Sequence, residues 1–222
     1  MRDAFHEDLD KISDQLVEMT RLAASAMSRA TTALLDADLE LAESVISADH
    51  KIDSIRAELD ELAVELLARQ QPVATDLRIV VTALHMGTSL ERMGDLAEHV
   101  AKVARLRFPE SAVPVEMRET IVAMGQIADR LVLRAGAIID SKDVEGARNL
   151  SGEDDEMDAL HRRVFTILAS EEWSHPADVT VDITLLSRYY ERFADHAVAV
   201  ARQVVYLVTG EWRALDNDEI QA

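Results

Sequence analysis

Two almost identical acidic phrases, Glu91-Arg92-Met93-Gly94-Asp95 and Glu191-Arg192-Phe193-Ala194-Asp195, stand 100 positions apart in the same register. A chain so built is restricted to folds with two like halves. Each half must present a helix with two carboxylates one turn apart on one face and an arginine beside the first.

The apolar residues around these phrases recur at spacings of three and four, the mark of amphipathic helices. Phe5, Leu9, Ile12, Leu16, Met19, Ala23, Met27, Ala30 and Leu34 predict a first helix over about residues 3–35. Asp36 to Asp38 form a polar break with capping groups. Leu41, Val45, Ala48, Ile52, Ile55, Leu59, Leu62 and Leu66 then carry a second helix to about Arg69. Ile79, Ala83, Met86, Leu90, Met93, Ala97, Val100 and Ala104 define a third, after which Pro109 and Pro114 bracket a linker at the midpoint. The second half repeats the scheme with Met117, Ile121, Met124, Ala128, Leu131, Ala135 and Ile138, then a segment from about Asp143 to Ser170. After Pro176 come Val179, Ile183, Leu186, Tyr190, Phe193, Ala197, Val200 and Val204.

The repeat reaches beyond the opening phrases. Asp49, Ile52 and Asp53 match Asp154, Met157 and Asp158 at an offset of 105, as Asp38-Leu39-Glu40 matches Asp143-Val144-Glu145. The change of offset needs only a length difference near a proline-containing turn, where loop-closure costs are small. The expected fold is therefore all-α: two tandem pseudo-repeated three-helix bundles, six long helices in all. Residues 1–110 and 111–213 form the two halves, and 214–222 a frayed acidic tail.

Composition supports helices. Seven Gly and four Pro in 222 residues are too few breakers for an all-β chain. A net charge of −19 repels nucleic acid and anionic membrane surfaces and favours cations or basic partner surfaces. The lack of cysteine excludes disulfides, thiolate metal sites and cysteine nucleophiles. No apolar run has the length of a membrane span, and the amphipathic N-terminal pattern does not read as a secretory leader. A soluble, cytoplasmic protein without direct membrane insertion is expected.

On a helical wheel the third-helix stripe from Ala83 to Val100 spans about 100° of arc, and Glu91, Asp95 and His99 lie roughly 100–180° round from its centre, towards solvent. Gly87 and Gly94 fall between the two faces, where a neighbouring helix can come close. If the second and third helices are antiparallel neighbours, Asp49 and Asp53 converge with Glu91 and Asp95. Asp154, Asp158, Glu191 and Asp195 do so in the other half, giving four to five oxygen donors per site. By chance alone a chain this acidic holds roughly eight acidic pairs at i,i+4, so a single pair signifies little and the matched duplication carries the argument. Convergent carboxylates repel and raise one another's pKa unless something positive joins them. Oxygen donors suit magnesium, calcium, manganese or iron, and His99, one turn beyond Asp95, would tilt the first site towards a transition metal.

Other chemistry is missing. The sequence has no glycine-rich phosphate loop, no paired HExxH and no nucleophile elbow. A ferritin-like di-iron enzyme needs a Glu-x-x-His on each of two helices, and the one instance, Glu172 to His175, abuts Pro176. Trp173 and Trp212 end helical patterns and read as end plugs or interface anchors.

In the opening Arg2-x-x-Phe5-x-x-x-Leu9, the Asp49-His50-Lys51-Ile52-Asp53 phrase and both Glu-Arg-x-x-Asp helices, the chain resembles the PhoU family over nearly its whole length. The resemblance implies metal clusters (iron, zinc, manganese or magnesium) held by Asp49, Asp53, Glu91 and Asp95 in one half and by Asp154, Asp158, Glu191 and Asp195 in the other. Family members commonly place Asn four residues after the last Asp. His99 and Ala199 stand there in this chain, so unequal sites are expected, the second being weaker by ligand count. The resemblance further implies a non-catalytic adaptor between the ATPase of a phosphate importer and a sensor histidine kinase, restraining uptake and phosphate-starvation genes. A homodimer is compatible with it. The alternatives are a carboxylate-cluster metalloenzyme and a metal-free helical scaffold.

Overall fold

The computed structural model describes residues 2–211. Its helices are α1 (Arg2–Asp36), α2 (Leu39–Ala48), α3 (His50–Gln70), α4 (Ala74–Arg107), α5 (Val115–Ser141), α6 (Val144–Leu168) and α7 (Ala177–Thr209). Where the sequence predicts one second helix the structure has α2 and α3. Asp49 between them keeps right-handed helical angles (φ −57°, ψ −38°), so the two continue as one rod with a single irregular turn. Six rods in two sets of three result. Trp212 and residues 214–222 lie outside the described residues.

The breaks have local causes. Ala37 and Lys142, equivalent in the repeat, both take left-handed angles (φ 51° and 56°) that a helix cannot continue. The next residues then start the following helices: Asp38 accepts a hydrogen bond from the Leu41 amide at 2.9 Å, and Asp143 from the Gly146 amide at 3.0 Å. The duplicated Asp-x-Glu phrases are therefore matched N-caps.

α1 packs along α4 and α5, and α7 packs along the same two helices, so four long helices close around one continuous core. The α2–α3 rod lies against α1 and α4, and α6 against α5 and α7. The predicted stripes of α1 and α5 are buried at every position. Each fully buried Leu, Met or Phe side chain contributes about 1.5–3 kcal/mol. A neutral hydrogen bond nets about 1 kcal/mol, so apolar packing rather than polar contact joins the halves.

One close approach between the halves requires glycine. A Cβ at Gly125 of α5 would stand 2.8 Å from Thr31 Cγ2 and 3.1 Å from Thr31 Oγ1 of α1. Thr31 cannot swing away freely, because its hydroxyl donates to the Met27 carbonyl and shares a 2.8 Å hydrogen bond with the fully buried Tyr190 hydroxyl of α7. Burial pushes that phenol well above its ordinary pKa, so it stays protonated.

α4 and α7 run antiparallel. At one end Arg78 donates from Nε to the Leu207 carbonyl, and at the other Arg107 donates to Asp182 and Asp178. Positions 78 and 178 are equivalent in the repeat, as are 107 and 207, so the two contacts are related by a pseudo-two-fold axis. That axis crosses the helix pair near Arg92 and Arg192, in the middle of the duplicated phrases.

Gly125→Ala should lower stability by about 1–3 kcal/mol, the cost of overpacking outweighing the roughly 1 kcal/mol of helix propensity that alanine gains. Thr31→Ser, which removes the obstructing methyl and keeps the hydroxyl, should recover most of that loss in urea unfolding of the double variant.

Candidate metal centres on two helix seams

The α3–α4 seam brings Asp49, Asp53, Glu91 and Asp95 within electrostatic reach of one another. Asp49 is raised to about 6 by burial first, then by the charges of Asp53, Glu98 and Asp95, with Lys102 opposing. Burial also raises Glu91, with Asp95 and Asp53 adding to it and Arg92 and Arg56 opposing. The seam closes tightly because Gly94 has no side chain: a Cβ there would meet Asp49 Oδ1 at 2.8 Å and Ile52 Cδ1 at 2.9 Å. Gly87 makes the same allowance for the Arg56 stem, at 3.0 Å from Cδ. Both glycines lie where a neighbouring helix comes close, as expected, but the space is taken by side chains of α3 and of Asp49 rather than by its backbone. Glu91 and Asp95 are half-buried rather than turned freely to solvent, because α3 covers them.

The α6–α7 seam repeats the arrangement at higher crowding. Asp154 is raised to about 7 by burial, then by Asp195, Asp158, Glu191 and Asp155. The Asp195 pKa is raised to about 6 by desolvation from the surrounding protein and then by the Glu191 charge, although the residue itself is exposed to solvent at the rim of the seam. Glu191, with only 12% of its side chain exposed, is raised as well, by burial against the opposition of Arg188. Asp154 Oδ1 and Glu191 Oε2 are buried without a hydrogen-bond partner, which is costly for an acceptor and is relieved by a bound cation.

As the side chains stand, no three His, Asp or Glu residues among the described residues form a ready ligand set. Arginines occupy several of the acids instead. Arg92 holds Asp95, Arg188 holds Glu191, and Arg162 stands 4.0 Å from Asp158. A metal entering either seam must displace these guanidiniums. The acid donors and the two orphaned oxygens fit a hard or borderline divalent ion.

His99 is not drawn into the first seam. Its Nδ1 faces the Asp95 carbonyl of its own helix at 2.5 Å, and its ring lies 5.3 Å from that of Tyr189 on α7. The residues that sequence reasoning missed are Glu98 and Lys102, paired one turn past the first phrase, and His161 on α6. For His161 a signal existed: Asp154, Asp158 and His161 follow at i, i+4 and i+7 on one helix face. Trp173 behaves as the expected plug, donating from Nε1 to Thr180 Oγ1 at 2.8 Å and packing on the core, while His175 of the Glu172-x-x-His175 phrase pairs with Glu116.

The PhoU domain model matches this chain twice, over residues 16–104 and 121–204. A phosphate-specific transport system accessory protein PhoU homolog 2 of Mycobacterium tuberculosis is 51% identical over 210 residues, covering 95% of this chain and 99% of the relative. Homolog 1 of Mycobacterium leprae is 48% identical over 212 residues, 96% of either chain. The crystal structure of PhoU from Pseudomonas aeruginosa superposes with a TM-score of 0.83 at 29% identity, over 93% of this chain and 100% of that one. The phosphate transport system regulatory protein PhoU from Streptococcus pneumoniae gives 0.86 at 24%, over 95% and 100%. The chain belongs to the PhoU family, whose relatives named above are transport accessory proteins rather than enzymes.

The raised acids predict a pH signature. A carboxylate whose folded pKa exceeds its unfolded value contributes stability that is full below about pH 4 and is lost as pH rises through the folded pKa. For Asp49, Asp154 and Asp195 that loss begins near pH 4 and is complete by about 6 to 7. The thermal midpoint of the metal-stripped protein should therefore drop between about pH 4 and pH 7, and Asp154→Asn should flatten the drop.

Proposed function

We propose that this chain is a cytoplasmic, metal-binding regulator of phosphate uptake and phosphate-starvation signalling, an adaptor between a phosphate importer ATPase and a sensor histidine kinase. The carrying observation is the pair of half-buried carboxylate seams with the orphaned oxygens Asp154 Oδ1 and Glu191 Oε2. The relatives' names, accessory proteins of a phosphate-specific transport system, supply the process.

Asp49, Asp53, Glu91 and Asp95 would hold metal in the first half, and Asp154, Asp158, Glu191 and Asp195 in the second. The ion supplies the positive charge that ties α3 to α4 and α6 to α7. The rest of the chain contributes a rigid body. Among the described residues no helix is long and apolar enough to cross a membrane, so contact with an importer would be made through its water-exposed ATPase. The acidic surface suits basic patches on such partners. Self-association into a homodimer belongs to the same reading.

Purified wild type should carry manganese, iron, zinc or magnesium by elemental analysis, and Asp95→Asn with Asp195→Asn should lose most of it while keeping its helical circular dichroism. Negligible metal in both would remove the cluster. Deleting the gene should raise phosphate-responsive reporter expression and phosphate uptake in high-phosphate medium. Unchanged reporter and uptake, in a strain cleared of any second copy, would remove the regulatory role.

A further inference from the structure

We infer that His161 is a nitrogen ligand of the α6–α7 metal site, so that the second half selects a borderline transition ion such as Zn²⁺ while the first half remains an all-oxygen site. The inference rests on the metal-binding reading above and assigns a residue of this chain to it.

Three observations lead there. Along α6, Asp154, Asp158 and His161 share one face, and Asp158 and Asp195 both act on the His161 ring through their charges. The ring is already oriented: Nδ1 lies 2.5 Å from the buried Ser187 Oγ of α7, and the Phe165 ring meets it edge-on at 4.9 Å. A histidine fixed through one nitrogen by a hydroxyl presents the other to a metal, the usual arrangement around imidazole ligands. Burial and the neighbouring Arg188 also favour its neutral form, the one that coordinates.

The first half has exchanged these parts. At the offset of 105 Arg56 replaces His161, and at the offset of 100 Gly87 replaces Ser187. The Arg56 stem fills the space left by Gly87, and its guanidinium donates to Thr88 Oγ1 at 2.9 Å and pairs with Asp60. A permanent cation cannot ligate a metal, so that seam has only oxygen to offer. His99, the histidine that sequence spacing points to, is turned towards Tyr189. Adding an imidazole donor to carboxylates shifts preference from Mg²⁺ towards Zn²⁺. The second site thereby gains what the loss of a donor at Ala199 takes away, and for Zn²⁺ the order of affinities implied by ligand count reverses.

The test titrates Zn²⁺ and Mg²⁺ separately into the metal-stripped full chain by calorimetry, with histidine-ring ¹⁵N NMR as a second readout. Wild type should show one Zn²⁺ site tighter than the other, and one ring nitrogen moved to a metal-bound shift. His161→Gln should weaken the tight Zn²⁺ site by at least about tenfold, abolish the shifted nitrogen and leave Mg²⁺ binding within about twofold. His161→Ala, checked for helicity, guards against a Gln-specific effect. His99→Gln should change neither readout. A tight Zn²⁺ site untouched by both His161 variants, or a shifted ring that disappears in His99→Gln instead, overturns the assignment while the metal-cluster reading stands. Absence of binding by either ion in wild type overturns both.

Discussion

The packing of α1 against α5 and of α4 against α7 is the contact that every other element depends on. It uses the inner faces of the four longest helices, including the position where glycine alone admits Thr31. With those faces spent, α3 docks along the outer flanks of α1 and α4, and α6 along those of α5 and α7. The duplicated acids lie on those flanks. The fold therefore presses carboxylates together as a consequence of burying its apolar stripes, and their repulsion is tolerated because the core outweighs it.

That tolerance is visible in the arginines. Surface ion pairs contribute little to stability, about 0–1 kcal/mol each. Arg92, Arg162 and Arg188 therefore act less as struts than as displaceable counter-charges beside the clustered acids. Exchanging them for metal would replace weak, screened pairs by multidentate bonds and would rigidify the seams.

The helices were legible in the sequence because each buries a single stripe. The periodic residues of α1 and α5 reach the core without exception, and the Asp38 and Asp143 caps fall where the polar breaks predict. The irregular turn at Asp49 was not legible, since its backbone angles are helical and its neighbours continue the period. At the seams the acid positions followed from duplication plus an antiparallel neighbour. Which histidine belonged to them did not. His99 and His161 sit at equally plausible spacings from an aspartate, and only the partner helix, with Tyr189 beside one and Ser187 beside the other, separates them. Spacing along one helix carries no information about what the facing helix offers.

The antiparallel crossing of α4 and α7 places equivalent residues on opposite sides of an internal axis, as in a symmetric dimer whose subunits have been spliced into one polypeptide. In a true dimer every substitution is made twice, and the two copies of a site must stay identical. Splicing lifts that restriction. Arg56 and His161 can differ, as can Gly87 and Ser187, and a single molecule can carry two seams of different chemistry on one inherited architecture.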